Sequence, residues 1–338
     1  MTTLGCSPWG ATLDELVDAS VRAERAGAAT VWSTELHRDP FVALGAIARE
    51  TDRVGVGTGI ALAFARAPLA TALAALDLDD LSGGRAVLGL GSGVKRLVED
   101  RYDRPFDRPL TRMRETIEAI RLVVERADRG EPIVYEGETV TLKLRGYERP
   151  HRPARRHIPI VLAAVGPQMT ELAGEVSDGW ISHELMSPEY FTEVIAPRLE
   201  KGLANSGRSR KALTLVASGP AAISTDRAAA LRAAAPTVAF YASVRTYRPF
   251  FEFHGFGAVA DTVAERFRAG DTAGMVDAVP DELVAAITPS GTPEDLAARV
   301  EAFGPFVDSV KLRPPTYYLP DSEIRSWQDA LLGAFPTL

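Results

Sequence analysis

A carboxylate and an imidazole stand directly after an apolar run in the stretch WSTELHRDP. Glu35 and His37 lie where a short β-strand is predicted to end. Such a pair could donate or accept a proton, or could hydrogen-bond a ligand. An acid at a helix start and a histidine in a loop would give the same pattern. The residues by themselves leave both interpretations open.

Two further histidines are candidates for the same chemistry. His183 follows another apolar run, in SDGWISHELMSPE, and His254 lies among aromatic residues in FEFHGFG. A lone histidine after a buried strand is often structural or faces a ligand without reacting. His254 could line a substrate pocket or could be a packed histidine whose ring is satisfied locally. We take His183 as a catalytic candidate and His254 as a substrate-site candidate.

Glycine-rich turns follow two other predicted strands. LGLGSGVKR brings Gly91, Ser92 and Gly93 before Lys95 and Arg96. In LAAVGPQM, Gly166 and Pro167 come at a predicted helix start. Small residues let backbone N–H groups approach an anion closely, and an open helix N-terminus attracts negative charge. Together the turns point to one phosphorylated ligand. Ordinary helix-capping turns have the same sequence pattern and remain the alternative.

Several classes of function find no support in the sequence. The single cysteine, Cys6, has apolar neighbours, so an internal disulfide is excluded and a buried, inert thiol is expected. Neither an H-E-x-x-H motif nor spaced Cys/His ligands occur, so we expect no bound metal. A G-x-S-x-G elbow is also missing. With no metal and no strong nucleophile, an organic cofactor is the economical source of reactivity.

Charge and hydropathy restrict the classes of molecule that the protein is expected to bind. A net charge of −7 over 338 residues argues against nucleic acid and anionic membranes. The first residues, MTTLGCSPWG, lack the pattern of a signal peptide, and no window is apolar enough to span a bilayer. We therefore expect a cytoplasmic protein acting on a small molecule.

Eight short β-rich runs alternate with helical patterns along the chain, which predicts a parallel sheet with helical crossovers. Eight strands close a (β/α)8 TIM barrel, the predicted α/β fold of a single domain over residues 1–338. An open doubly wound sheet is the alternative. Insertions are expected as a hairpin near residues 132–153 and an aromatic-rich segment near 235–289. The predicted strands are Thr2–Cys6, Thr30–Ser33, Val54–Leu62, Ala86–Leu90, Ile158–Ala164, Gly179–His183, Leu213–Ile223 and Ser309–Leu312.

Six motifs in order resemble the luciferase-like monooxygenase superfamily, and more narrowly its actinobacterial branch of coenzyme F420-dependent oxidoreductases. The resemblance covers about residues 12–315. Each motif alone is loose, but their order and spacing are specific. The motifs are VWSTEL, GVGTGIALAFARAP, LSGGRAVLGLGSG, AAVGPQM, SDGW and TPSGTPEDL.

The resemblance implies where a cofactor would bind. Members carry a non-prolyl cis peptide at the end of strand three, against which the flavin or deazaflavin ring leans. The matching bond here is Gly59–Ile60. The acid after strand two, Glu35, lies near the ring edge in relatives. The implied phosphate and tail contacts are Gly91, Ser92, Gly93, Val165, Gly166 and Pro167.

The function implied is hydride transfer between C5 of coenzyme F420 and a small organic substrate. Glu35, His37 and His183 are the candidates for proton transfer, and relatives are often homodimers. The aromatic insertion would shape the substrate site through Phe240, Tyr241, Tyr247 and His254. An FMN-dependent monooxygenase and a non-catalytic ligand-binding barrel are the alternatives. A sugar-phosphate dehydrogenase is disfavoured, because the Asp-His pair and strand-four glutamate of such relatives are replaced here.

Overall fold

The computed structural model describes residues 2–337 of the chain. The chain divides into two compact units. The first unit comprises Met1–Ala28, Ser182–Ala196 and Val216–Leu338. The second unit comprises Ala29–Ile181 and Pro197–Leu215. The single domain expected from the sequence stays a prediction.

Every predicted strand is present, most within two residues of its predicted bounds. The third, predicted over Val54–Leu62, is broken into two short strands around Gly59–Ile60, and the seventh, predicted over Leu213–Ile223, ends three residues early, at Pro220. In chain order the strands are β1 (Thr3–Cys6), β2 (Thr30–Ser33), β3 (Gly55–Thr58), β4 (Ala61–Leu62), β5 (Ala86–Gly91), β6 (Ile133–Glu136), β7 (Thr141–Leu144), β8 (Ile160–Ala163), β9 (Gly179–Ile181), β10 (Thr214–Pro220) and β11 (Ser309–Arg313).

Helices separate the strands. They are α1 (Leu13–Arg25), α2 (Pro40–Glu50), α3 (Pro68–Leu81), α4 (Lys95–Tyr102), α5 (Pro109–Arg126), α6 (Pro167–Val176), α7 (Pro188–Tyr190), α8 (Ala196–Asn205), α9 (Arg227–Ala242), α10 (Arg248–Phe253), α11 (Gly257–Arg268), α12 (Thr272–Asp277), α13 (Asp281–Ile287), α14 (Pro293–Phe303) and α15 (Asp321–Ala334). A π-helical turn covers Phe191–Ile195, and 3₁₀ turns cover Arg210–Ala212, Arg245–Tyr247 and Phe335–Thr337.

The strands within each unit pair in parallel. In the second unit β2 pairs with β3, β3 and β4 with β5, β5 with β8, and β8 with β9. In the first unit β11 pairs with both β1 and β10. Parallel strands need crossover connections, and the helices supply them. The (β/α)8 TIM-barrel fold predicted from the sequence is confirmed.

The predicted hairpin insertion is also confirmed, as β6 and β7 pair antiparallel in the second unit. Its turn is held by the buried carboxylate of Glu115 on α5. That carboxylate accepts hydrogen bonds from the backbone N–H groups of Glu138, Thr139 and Val140, at 2.7, 2.7 and 2.9 Å. Burial alone would raise the pKa of Glu115, but these bonds and that from the Thr139 hydroxyl hold it below its ordinary value.

The aromatic-rich segment of the first unit is helical, from α9 to α13. Its buried side chains form one core that includes Leu231, Val238, Phe251 and Val263. Within residues 2–337 no helix is both long and apolar enough to cross a membrane.

The thiol of Cys6 lies at the end of β1 and is fully buried. Burial disfavours the thiolate and raises the pKa of Cys6 to about 12. The expectation of a buried thiol is confirmed, and so high a pKa makes the group inert as a nucleophile.

Candidate functional site

In the second unit, Glu35 is buried two residues beyond the end of β2. Its Oε2 accepts a hydrogen bond from the backbone N–H of Leu62 at 2.8 Å. The Nε of Arg66 lies 3.0 Å from Oε1 and 3.1 Å from Oε2. Arg66 also pairs with Asp39, the N-cap of α2. Both carboxylate oxygens of Glu35 are therefore engaged, an arrangement that suits positioning better than proton donation.

The peptide bond between Gly59 and Ile60 is cis, which confirms the bond expected from the resemblance. Three hydrogen bonds tie it to the segment after β2. The Gly59 N–H donates to the Ser33 carbonyl at 2.8 Å, and the Thr34 hydroxyl donates to the Gly59 carbonyl at 3.1 Å. The Glu35 N–H donates to the Ile60 carbonyl at 3.1 Å. Glu35 thus fixes the break at Gly59–Ile60 between β3 and β4, here called the bulge, through its backbone and through its side chain.

His37, the second candidate after β2, has an exposed side chain. It lies two residues beyond Glu35 but takes no part in the hydrogen bonds around that carboxylate. The structure therefore does not bring these two candidates into a shared acid–base pair.

The glycine turns after β5 and β8 lie at the same edge of the second unit, because those strands are paired neighbours. After β5, the Ser92 hydroxyl donates to the Gly93 carbonyl at 2.9 Å, and Gly93 has a φ of +68°. After β8, Gly166 is the N-cap of α6, and no side chain in the described part of the chain caps that helix. A Cβ on Gly166 would meet nothing within 4 Å. The turn at Gly166 is therefore open to an anionic group.

Gly91, the last residue of β5, lets the Ile60 side chain approach the strand backbone closely. A Cβ placed there would lie 2.7 Å from Cδ1 of Ile60. The Ile60 side chain therefore rests on the bare backbone of Gly91. Val165, in the turn between β8 and α6, is 37% exposed and therefore accessible to a ligand.

In the first unit, His183 is enclosed by aromatic rings. Its ring stacks on Tyr247 at 4.0 Å between centroids and meets the edge of Tyr241 at 4.3 Å. Burial disfavours the imidazolium and lowers the pKa of His183 to about 3. At neutral pH the ring is neutral, so it can form hydrogen bonds with a ligand but is a poor acid.

This low pKa predicts a pH-dependent stability. The unfolded chain, in which the His183 pKa returns to about 6.5, binds more protons than the folded chain between that pH and about 3. Stability therefore falls as the pH is lowered, and His183 contributes about 2 kcal/mol of loss between pH 7 and pH 5. Urea unfolding at the two pH values measures it. His183→Gln should flatten the profile, and an equal slope in both proteins would contradict the assignment.

Beside His183 lies a charge cluster of Glu184, Lys311 and Arg313, of which Lys311 is buried and the other two are half-buried. The Lys311 Nζ is 3.5 Å from Oε1 of Glu184, and the Arg313 Nη1 is 3.4 Å from its Oε2. Burial alone would raise the pKa of Glu184, but the two cations lower it to about 2. Burial opposes the charge of Arg313, yet Glu184 raises the pKa of the guanidinium.

The aromatic residues predicted to shape the substrate site fall into two groups. Tyr241 and Tyr247 contact His183, and the hydroxyls of Tyr241 and Tyr317 lie 3.1 Å apart. Phe240 stacks on Tyr317 with centroids 4.4 Å apart. These rings and the charge cluster meet around the segment that follows β9.

His254 belongs to a different environment of the first unit. Its Nε2 is 3.1 Å from the hydroxyl of Ser187, the N-cap of α7, and its ring meets the edges of Phe250 and Phe253. Burial lowers the pKa of His254. Of the two interpretations that the sequence left open, these contacts favour a packed histidine that is satisfied locally.

The sequence motifs do not identify the charge cluster or Arg66. Lys311 does carry a sequence signal, because it stands between Val310 and Leu312 inside a predicted strand, and lysine is almost never buried without a partner. Arg66 lies within the motif GVGTGIALAFARAP, but nothing in the sequence shows that it reaches Glu35. Over residues 2–337, no group of three or more His, Cys, Asp or Glu side chains could hold a metal ion.

The chain matches known proteins over most of its length. The family model described as luciferase-like monooxygenase matches residues 2–306. An uncharacterised protein of Mycobacterium tuberculosis is 36% identical over 291 residues, covering 84% of this chain and 85% of that protein. The 5,10-methylenetetrahydromethanopterin reductase of Archaeoglobus fulgidus is 34% identical over 285 residues, 82% of each chain.

One solved structure is similar over nearly the whole length. It is the coenzyme F420-dependent tetrahydromethanopterin reductase of Methanopyrus kandleri, with a TM-score of 0.84 and 25% identity. The similarity covers 99% of this chain and 97% of the reductase. The glycine turns, the cis bond and the aromatic residues above therefore belong to a fold known to carry redox enzymes.

Proposed function

Because this chain belongs to the luciferase-like monooxygenase family, we propose that it is an F420-dependent oxidoreductase acting on a small organic substrate. When bound, the deazaflavin accepts or supplies a hydride at C5. The observation that carries the proposal is the similarity over 99% of the chain to an F420-dependent reductase. The identity of 34% to a second reductase supports it.

The residues of the second unit fit a phosphorylated cofactor. Turns with small residues follow the neighbouring strands β5 and β8. In the described chain, no side chain caps the N–H groups in the first turn of α6. In the proposal, the turns after β5 and β8 hold the phosphate, and Gly59 with Ile60 lies against the ring. The phosphate contacts are assigned to Gly91, Ser92, Gly93, Val165, Gly166 and Pro167.

Glu35 acts in this proposal by holding the bulge in place. Its carboxylate fixes Leu62 and Arg66, and its N–H fixes the carbonyl of Ile60. His183 is neutral and offers a hydrogen bond rather than a proton. His37, exposed to solvent, is the remaining candidate for proton exchange with water.

Titration of the purified protein with each cofactor tests the proposal. We expect F420 to bind, with a change in its fluorescence, and FMN to leave the protein unchanged. Tight binding of FMN without a response to F420 would instead identify a flavin-dependent monooxygenase. Binding of neither cofactor, with no turnover across a substrate panel, would favour a non-catalytic ligand-binding barrel.

A substitution at Gly91 tests the assigned location of the cofactor. Its new methyl would displace the Ile60 side chain, which lies 2.7 Å from the Cβ position. Gly91→Ala should therefore weaken F420 binding about tenfold, which corresponds to about 1.4 kcal/mol. Gly333→Ala is the control, because a Cβ there meets nothing within 4 Å. Equal affinities in a folded Gly91→Ala variant and the control would remove Ile60 from the cofactor site.

A further inference from the structure

The charge cluster of the first unit is unbalanced. Lys311 and Arg313 bring two positive charges and Glu184 brings one negative charge. The side chain of Lys311 is only 3% exposed, and those of Glu184 and Arg313 are 13% and 21% exposed. Burying a charge costs free energy unless a partner compensates it. One carboxylate cannot compensate two cations, so the cluster holds one surplus positive charge.

The hydrogen bonding of the cluster is equally incomplete. The Lys311 ammonium has three donors, yet its contact among the described residues is Glu184 at 3.5 Å, longer than an ordinary hydrogen bond. The guanidinium of Arg313 donates to the Thr316 hydroxyl at 2.7 Å and lies 3.4 Å from Glu184. Donors on both cations therefore remain available to a further acceptor.

The rings that face the cluster in the described part of the chain, those of His183, Tyr241 and Tyr317, carry no negative charge. His183 is neutral, and Tyr241 and Tyr317 are held in their phenol form because burial raises the pKa of both. Their rings form an aromatic wall next to the cations. The site thus combines one surplus positive charge with an apolar surface.

We propose that the substrate is an organic monocarboxylate whose carboxylate binds Lys311 and Arg313 while its carbon skeleton packs on the rings of Tyr241 and Tyr247. A carboxylate carries one charge, which matches the surplus, whereas a phosphate monoester carries about 1.5 to 2 at neutral pH. Hydrogen bonds between ionised partners are shorter and stronger than neutral ones. This inference rests on the proposed function, since it names the substrate class of that reaction.

Benzoate and benzamide test the inference, because they share a shape and differ in charge. In calorimetric titrations of the wild-type protein at pH 7, benzoate should bind at least about tenfold more tightly than benzamide, about 1.4 kcal/mol. Inorganic phosphate should bind more weakly than benzoate. No preference for benzoate, or a preference for phosphate, would overturn the assignment of a monocarboxylate.

Substitutions test which charges are responsible. Lys311→Met removes the surplus and should abolish the preference for benzoate. Glu184→Gln raises the surplus and should tighten benzoate binding, and it tests the inference independently should Lys311→Met fail to fold. Lys211→Met, at an exposed lysine, is the matched control and should bind like the wild type. Retention of the preference in folded Lys311→Met would contradict the inference.

Titration of the same variants with F420 separates this inference from the proposed function. We expect Lys311→Met to bind F420 like the wild type. If the wild type fails to bind F420 but prefers benzoate, the proposed function is wrong and the anion site stands. If Lys311→Met loses F420 binding and no protein prefers benzoate, the surplus charge serves the cofactor and the inference is overturned.

Discussion

Replacing Glu35 by alanine should lower the free energy of unfolding by about 3 kcal/mol. The substitution leaves the Leu62 N–H without its acceptor. It also removes the buried carboxylate partner of Arg66, which then pairs only with the exposed Asp39 among the described residues. Buried donors and charges that lose a partner bear the full cost of desolvation. Urea unfolding measures the loss.

Glu99→Ala is the matched control, because Glu99 is exposed and its ammonium partner, Lys95, is 3.7 Å away on the same helix. Surface pairs of this kind contribute about 0.5 kcal/mol or less. Glu35→Gln keeps an acceptor for Leu62 and loses the charge, so we expect an intermediate loss with a parallel fall in F420 affinity. A Glu35→Ala protein as stable as Glu99→Ala would show that the carboxylate does not hold the bulge.

A methyl group at Gly89 should destabilise the protein by about 3 kcal/mol or more. A Cβ there would lie 1.9 Å from the carbonyl oxygen of Thr58, and the contact joins β5 to β3 through backbone that no rotamer change can relieve. The hydroxyl of Thr58 already donates to the Gly89 carbonyl at 2.7 Å. Thermal or urea unfolding of Gly89→Ala measures the destabilisation. A failure of the variant to accumulate as soluble protein would be the same effect in a stronger form.

Gly45→Ala is a control of opposite sign. Gly45 lies inside α2, where an added Cβ would be 3.7 Å from Cδ2 of Leu81, an ordinary contact. Alanine in a helix interior is favoured over glycine by about 0.5–1 kcal/mol, so we expect this variant to be as stable as the wild type or more stable. Stability in Gly89→Ala equal to that of Gly45→Ala would refute the close approach of β3 and β5.

The order of elements could be predicted because each barrel strand is a short apolar run bounded by helix signals. Pro68 and Pro167 mark helix starts in both the sequence and the structure. The ends of the strands are harder to predict. The sequence predicts a strand over Gly179–His183, which ends at Ile181 in the structure, and one over Leu213–Ile223, which ends at Pro220. Past Pro220 the chain stays apolar, because Ala221, Ala222 and Ile223 are buried beyond the sheet. Past Ile181 the next residues, Ser182 and His183, are polar.

The chemistry of the site was harder to predict than the fold. Glu35 was found because it follows a strand, yet its partner Arg66 lies 31 residues later, and only the folded chain joins them. Glu184 and Lys311 are separated by 127 residues. Ion pairs between residues so far apart in the chain produce no pattern that a single sequence reveals. A lysine within a buried strand can be recognised, because its residue type is unusual there.

The buried thiol of Cys6 has a practical consequence. It is the single cysteine of the chain, fully covered and with a pKa near 12, so thiol-directed reagents find no target on the native protein. A cysteine introduced at the exposed Val165, beside the open end of α6, would be the sole site for a fluorophore or spin label. The native Cys6 therefore need not be replaced before a label is introduced to follow ligand binding by spectroscopy.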